Sequence, residues 1–550
     1  MHFNSNILPE DWQKVTLEDI VTYAIGGDWG KKENYEHADY QKVYCIRGSE
    51  FKNWKQNKGN TAVIRKVKKT SLDKRKLRRG DILVEISGGG PEQPVGRTVV
   101  IDNKTLNFDN NIPKIFTNFL RLIRITDNIY PFFLQFFFQY FYRSGQIIKY
   151  QGGSNNLRNL KFKDFLTIKP PLPPLPEQHE IVRRIEAMFS ELDNSIESLK
   201  KAQQQLKTYR QSVLKHAFEG KLTEKWREQC RDAINRVSTI NRVSDSEPAE
   251  ELLKKIKAER QRRYEEQLRE WEKAVKKWEA DGKPGKKPQK PQKPKELPEL
   301  TEDELKELPE LPEEWRWMRL GNMTLKVEYG SSKKSLPVGK VPVLRMGNIQ
   351  NGYFDWSDLV YSKDEEEIKK YLLEKDDVLF NRTNSPELVG KTAMFRGERN
   401  AIFAGYLIRI NHFKNLINSK YLNYFLNSHT AKKHGNSVKT DGVNQSNING
   451  EKLMKYPFPL TNLQEQHQIV QEIEQRLSVA DNLEKSIEES LQKAEALRQS
   501  ILKQAFEGRL TEAWRKKHPE LVTGENSAER LLERIKEEKE SLSQKTIKKS

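Results

Sequence analysis

Apolar residues fall at every seventh position along two stretches of the chain. Ile185, Leu192, Leu199, Leu206 and Val213 make one series, and Ile473, Ala480, Ile487, Ala494 and Ile501 make the other. A seven-residue apolar period kept over this length predicts a long helix with a coiled-coil seam. Each series follows a proline-rich entry, LPPLPEQ at Leu172 to Gln178 and PFPLTNLQEQ at Pro457 to Gln466, where proline delays helix formation. About 40 helical residues would make a rod on the order of 60 Å. Leu192 and Leu206 answer Ala480 and Ala494, so pairing the two helices sets large residues against small ones. Parallel and antiparallel pairings both satisfy that match. The most apolar run, Tyr130 to Phe141, is too short to cross a bilayer, and the spacing of Phe133, Phe136, Phe137 and Phe141 predicts a helix packed into a core.

The two helices belong to a larger duplication. EQHEIVRRIE at Glu177 and RQSVLKHAFEGKLTEKWR ending at Arg227 return as EQHQIVQEIE at Glu465 and RQSILKQAFEGRLTEAWR ending at Arg515, at a constant offset of 288 positions. The repeat reaches beyond the helices. Leu8-Pro9-Glu10-Asp11-Trp12 returns as Leu311-Pro312-Glu313-Glu314-Trp315, and Gly80 to Val84 returns in weaker form as Asp376 to Phe380. Val95-Gly96-Arg97-Thr98 answers Val389-Gly390-Lys391-Thr392, and Ala249 to Leu253 answers Ala528 to Leu532. The expected class is α+β, with two mixed α/β domains in a tandem pseudo-two-fold repeat, separated by two long helices. The boundaries read as a first domain at 1–175, a helix at 176–227, a charged helical segment and Lys/Pro-rich linker at 228–310, a second domain at 311–462, a second helix at 463–515 and a charged helical tail at 516–550. The linker, with its GKPGKKPQKPQKPK tract, cannot bury enough apolar surface to fold alone and is expected to be an extended tether.

Between the repeated helices the two domains share a frame and differ in most other residues. One scaffold carrying two different surfaces suits a pair of readers for two unlike half-sites, and two small-molecule sites would also fit. Charge favours a polyanion: the 550 residues carry a formal charge of +19. Arg65, Lys66, Lys68 and Lys69 open a basic tract that runs to Arg79 ahead of a predicted strand, as phosphate contacts would require. Beyond that strand lie Ser87 and Gly88, and in the second domain Asn381, Arg382, Thr383 and Asn384 take the same place. A second matched loop precedes each long helix, with Asn155, Asn156 and Arg158 in one copy and Asn444 and Gln445 in the other. With Arg97, Lys391 and Lys439, these are the candidate DNA-binding residues, since Asn, Gln and Arg suit contacts to adenine and guanine edges.

Catalytic motifs are missing. An adenine-flipping tetrad of Asn or Asp, Pro-Pro and an aromatic is absent, and Gly390-Lys391-Thr392 lacks the phosphate-loop glycine five positions earlier, where Ser385 stands. Nine histidines show no HExxH or clustered spacing, so no metal site is expected. His179 and His467, at equivalent helix starts, suggest capping or partner docking. Two distant cysteines, Cys45 and Cys230, and no recognisable secretory leader lead to the expectation of a reducing, cytoplasmic home.

The EQHxIVxxIE opening and RQSxLKxAFEGxLTExWR ending, each occurring twice around diverged domains, resemble the specificity subunit of type I restriction-modification systems. The resemblance implies that each domain is a target-recognition domain reading half of a split double-stranded DNA site. It implies that the helices form an antiparallel coiled coil, set the spacing and dock methyltransferase (modification) subunits, two of them, in a prokaryotic cytoplasm. It implies that ATP-dependent restriction subunits join, that S-adenosylmethionine, ATP and Mg sit on those partners, that this chain holds no cofactor and does no catalysis, and that no membrane is involved. A coiled-coil scaffold with protein-binding domains and a fused restriction-modification enzyme are the alternatives.

Overall fold

A computed structural model describes residues 8–90, 93–153, 157–236, 249–283, 285–293, 296–443 and 445–547. It divides into two compact units that do not follow the order of the chain. The first is Met1–Lys200 with Glu488–Ser550, and the second is Lys201–Ile487. Each unit therefore holds one globular domain, the start of the helix that follows it, and the end of the other long helix.

Four helices organise the two units: α1 (Pro131–Arg143) and α2 (Leu175–Phe218) from the first half of the chain, α3 (Ser419–Leu426) and α4 (Leu463–Phe506) from the second. The aromatic run predicted as a buried helix is α1. It starts with proline at its first turn and buries Phe133, Leu134, Phe137, Phe138 and Phe141. Both long helices have 44 residues. Along the predicted seam, Ile185, Leu192, Val213, Ile473, Ala480, Ile487, Ala494 and Ile501 are buried, and Leu199 and Leu206 are half-buried.

Ion pairs settle the direction that the leucine–alanine match left open. In the first unit Asp193 pairs with Arg498, and nearer the start of α2 Arg184 donates to the Leu510 carbonyl at 3.0 Å. In the second unit Arg210 reaches Asp481 at 2.5 Å and Glu484 at 2.6 Å, while Arg227, beyond the end of α2, pairs with Glu465 near the start of α4. Partner numbers fall as positions rise, so the helices run antiparallel.

The two domains share one topology. In the first, an antiparallel sheet runs in the order Val21–Gly26, Leu120–Ile125, Ile82–Glu85, Thr98–Val100; in the second, the order is Thr324–Tyr329, Leu407–His412, Val378–Asn381, Thr392–Met394. A further sheet sets Tyr40–Ile46 between Val63–Lys68 and a parallel Lys114–Phe116, and its counterpart sets Val341–Leu344 between Val360–Ser362 and a parallel Ile402–Phe403. Each main sheet packs on its helix, and the incoming end of the other long helix completes the core. Phe506 lies 5.5 Å from the rings of both Phe133 and Phe137, and Phe218 lies 5.2 Å from Tyr421 and 5.3 Å from Phe425.

The repeated motifs converge on a buried joint in each unit. Glu177 accepts from Trp12 Nε1 at 2.9 Å, Thr511 Oγ1 at 2.6 Å and Arg515 Nη1 at 2.5 Å. Glu465 accepts from Trp315 Nε1 at 2.7 Å, Thr223 Oγ1 at 2.8 Å and Arg227 Nη1 at 2.6 Å. Each arginine also donates to the glycine of its own Ala-Phe-Glu-Gly stop, Arg515 to the Gly508 carbonyl and Arg227 to the Gly220 carbonyl. Those glycines sit at φ 72° and 74°, and a Cβ on either would meet Pro9 or Pro312 at 2.3 Å. The next residue, glutamine, ties the joint to the domain helix: Gln178 accepts from the Tyr130 N–H and Gln466 from the Asn418 N–H, each at 2.9 Å. His179 packs against the Tyr130 ring, with centroids 3.9 Å and planes 31° apart, and His467 Nδ1 lies 2.6 Å from the Leu463 carbonyl at the start of α4. Burial pushes the Glu177 carboxyl above its ordinary pKa, while the Thr511, Arg515 and Trp12 donors pull it back.

The expected tether at 228–310 is not extended in its described part. Ala249–Ala280 is a helix of 32 residues whose first turns bury Ala249, Leu252 and Ile256 in the second domain's core. The Lys/Pro tract returns along it, because tryptophan supplies what the tract's composition lacks: Trp271 Nε1 donates to the Pro288 carbonyl at 3.0 Å, and Lys290 lies over the same ring. Leu297 then exchanges two hydrogen bonds with the Asn322 side chain at 2.8 and 3.0 Å. The tail helix Ala528–Ile547 does the same for the first domain, burying Ala528, Leu531 and Ile535 and holding Asn128 through Glu538 at 2.9 Å.

Glu177→Ala or Glu465→Ala leaves a buried guanidinium unpaired, which costs about 3–5 kcal/mol; chemical denaturation should show a loss of that size for each, and a loss under about 1 kcal/mol would contradict the joint. Because each unit needs both halves of the chain, co-expressed fragments cut between residues 236 and 249 should co-purify as a one-to-one complex. Fragments that fold separately and do not associate would refute that organisation.

Candidate nucleic-acid interface

The two Asn/Gly loops predicted in each domain, far apart in sequence, meet in one small sheet. In the first domain Ser87–Gly89 pairs with Arg158–Leu160, which pairs with Gln151–Gly152. In the second, Thr383–Asn384 pairs with Ser446–Asn447, which pairs with Thr440–Asp441. Gly88 is exposed at φ 108° with open space around it, so its backbone is accessible. Arg158 Nη1 donates to the Gly153 carbonyl at 3.3 Å, and Gln445 is exposed. Asn155, Asn156 and Asn444 lie outside the described residues.

Several candidates turn inward. Arg97 clasps Glu85 through Nε at 2.8 Å and Nη2 at 2.5 Å and donates to the Gly48 carbonyl at 3.1 Å, so it braces the frame. Asn381 is fully buried and spends its side chain on the Leu388 carbonyl and the Thr383 N–H, both at 3.4 Å. Thr383 is buried as well and accepts from Asn447 Nδ2 at 2.8 Å. The central strands explain this: Asn381 is the buried last residue of Val378–Asn381, and Arg97 is drawn to Glu85, the buried last residue of Ile82–Glu85. At that margin Arg382 lies over the Tyr329 ring at 4.9 Å, Asn384 takes the Ser385 N–H at 2.9 Å, Lys391 reaches Gln350 at 3.4 Å, and Lys439 approaches Asp441 at 3.6 Å.

The basic tract lies on another sheet. Arg65 and Lys66 belong to the strand Val63–Lys68, which exchanges backbone hydrogen bonds with Lys31 at 2.8 and 3.1 Å. Arg65 stacks over Trp29 at 4.3 Å and donates to its carbonyl at 3.0 Å, so it fixes this loop. Lys66 is half-buried, while Lys68 and Lys69 are exposed and, with Lys31 and Lys32, make the basic edge.

A tight turn that no sequence motif announced links this edge to the small sheet. It is Thr117-Asn118-Phe119-Leu120, closed by Leu120 N–H to the Thr117 carbonyl at 2.9 Å. On one side Asp28 N–H donates to the Phe116 carbonyl and Gly27 N–H to the Leu120 carbonyl; on the other, Ile86 N–H donates to the Phe119 carbonyl at 2.9 Å. The second domain repeats this as Ala404-Gly405-Tyr406-Leu407, with Ser331 N–H on the Phe403 carbonyl and Arg382 N–H on the Tyr406 carbonyl at 3.1 Å. Gly27 and Gly330 are required by this approach, since a Cβ there would meet the Thr117 carbonyl at 2.1 Å or the Phe403 carbonyl at 2.2 Å. The available sequence signal is an aromatic just before an alternating apolar strand, Phe119 before LRLIRI and Tyr406 before LIRINH.

The same frame thus recurs with different surface residues. A family model, the type I restriction modification DNA specificity domain, matches residues 9–208 and again 312–493. The chain belongs to this family. The type I restriction enzyme EcoKI specificity subunit of Escherichia coli (strain K12) is 27% identical over 539 residues, spanning 97% of this chain and 96% of that protein. The StySPI specificity subunit of Salmonella potsdam is 25% identical over 542 residues, spanning 98% and 97%. A solved chain from work on complex assembly and conformational transition of the type I R-M system shares the fold, with a TM-score of 0.58 over 91% of this chain and 99% of that one at 15% identity. The matches start at residues 9 and 312, at the proline of each joint, Pro9 or Pro312, and end inside the long helices. Among the described residues, no helix is long and apolar enough to cross a membrane.

If the Lys68 and Lys69 edge meets phosphates, Lys68→Ala with Lys69→Ala should weaken binding to every DNA sequence alike and reduce the slope of log affinity against log salt by about 0.9 per lost contact. A sequence-dependent loss at unchanged slope would remove these lysines from the phosphate contacts.

Proposed function

We infer that the chain is the DNA sequence-specificity subunit of a type I restriction-modification complex, in which each domain reads one half of a split target. The observation that carries this reading is the pairing of two joints built from the same tryptophan, threonine and arginine donors with two unlike faces. Glu177 and Glu465 are bound by the same donor types, while the small sheets present Ser87, Gly88 and Arg158 in one domain and Asn384, Asn447 and Gln445 in the other. Equal scaffolds with unequal faces read unequal texts.

The chain is a non-catalytic subunit. Methyl transfer and ATP-driven cleavage belong to methyltransferase and restriction subunits, which work with it on DNA. On this reading two methyltransferase subunits dock on the long helices, the helices set the number of unread base pairs, and S-adenosylmethionine, ATP and Mg are held by the partners, in a prokaryotic cytoplasm. The antiparallel seam supports the spacing role, since inserted heptads lengthen a coiled coil without turning its face.

The chain purified with its methyltransferase partner should protect a split, asymmetric sequence in a footprint. Inserting one heptad in both α2 and α4 should lengthen the unread spacer and leave both half-sites unchanged. Uniform protection of all DNA would refute the reading in favour of a protein-binding scaffold, and methylation by this chain alone would refute it in favour of a fused enzyme.

A further inference from the structure

Phe119 and Tyr406 occupy equivalent turns in the two domains. Each is the third residue of a four-residue turn, each carbonyl accepts from the residue that leads into the small sheet, and each side chain is about half exposed, at 50% and 51%. Neither ring has an aromatic partner among the described residues, although the cores beneath them are rich in ring contacts. A tight turn at this point needs no large apolar residue, and leaving one in water forgoes the free energy that burial would supply. Asn118 and Gly405, the residues just before them, show that small or polar side chains fit the same turn.

The surroundings identify what would cover the rings. Phe119 stands between the exposed backbone at Gly88 and the loop that carries Trp29 and Lys31, with Lys68 and Asn118 lining one cleft of about 480 Å³ beside it. Tyr406 stands between Arg382 and the Ser331 loop, which leads to the exposed Lys334 and to Lys333, itself paired with Asp364 at 2.5 Å. An apolar ring flanked by cations on one side and by hydrogen-bonding groups on the other matches a base that is held between its phosphates and its edges. It does not match the broad apolar patch of a protein-docking surface.

We propose that Phe119 and Tyr406 are specificity-determining residues that pack against bases in the groove of their respective half-sites. This rests on the proposed function and names the contacts each domain makes within it. An aromatic or apolar side chain against a base, a thymine methyl or an opened base step discriminates sequence without hydrogen bonds, and it does so independently of salt.

The test uses the full chain with its methyltransferase partner. The target is found by methylome sequencing, and affinities are measured by fluorescence anisotropy on duplexes carrying single base-pair changes in either half. Phe119→Ala should weaken cognate binding about tenfold. It should flatten discrimination in one half-site only, keep the salt slope and leave the thermal midpoint unchanged. Tyr406→Ala should do the same for the other half-site, and Phe119→Tyr and Tyr406→Phe should retain discrimination. Alanine variants that discriminate like the unsubstituted chain, or that lose both half-sites equally, would overturn the proposal while leaving the function standing. An unsubstituted complex with no split-site preference would overturn both.

Discussion

A buried carboxylate with three donors from distant parts of the chain governs the rest of this structure. Taking Glu177 and Arg515 out of water costs several kcal/mol per ion, and their mutual attraction offsets that cost only when the remaining lone pairs are also met. Trp12 and Thr511 meet them, and Thr511 lies 334 positions away from Glu177. The net stabilisation is modest, but the requirement is strict. Only one arrangement of the first tryptophan, the helix start and the far helix end satisfies the carboxylate, so the joint acts as a register pin. Glu465, Arg227, Trp315 and Thr223 repeat it.

The pin explains how a domain with few shared residues keeps one topology. Gln178 and Gln466 fix the first turns of α1 and α3, and those helices carry the main sheets on Phe137 and Phe425. The ion pairs Arg124 to Asp81 at 2.7 Å and Arg409 to Asp377 at 3.2 Å lock neighbouring strands at matching places. With those positions held, the turn at Phe119 or Tyr406 and the small sheet beside it are located by the backbone, and the side chains on them are free to differ. Recognition can therefore change without disturbing the joint.

Much of this was legible in the sequence wherever a periodic or repeated pattern has a local cause. The heptads from Ile185 to Val213 and from Ile473 to Ile501 gave the seam, and the spacing of Phe133, Phe137 and Phe141 gave a core helix. Direction was not legible from Leu192 and Ala480, because it depends on Asp193 meeting Arg498. The role of Ala-Phe-Glu-Gly was hidden because its glycine is set by a proline near the other end of the chain, Pro9 against Gly508. The Lys/Pro segment misled because composition describes the average of a stretch, whereas Trp271 and Leu297 are single anchors. Asn381 misled because the strand's last residue is interior while its successor is not.

The same contrast bears on the recognition face. Arg97 and Asn381 are the residue types that read bases, yet each is consumed by bonds within its domain, to Glu85 and Gly48 or to Leu388 and Thr383. Hydrogen-bonding capacity in a sequence says little until the internal demand for it has been subtracted, because buried polar groups are satisfied first. For an apolar side chain the inference runs the other way. Phe119 and Tyr406 have an interior within one residue of them, at Leu120 and Leu407, and both remain outside it. Polar residues left over after the frame is satisfied, and apolar residues left out of a core that lies beside them, are the two classes of side chain free to meet DNA. Around the turn between the basic edge and the small sheet, the first domain brings both classes together.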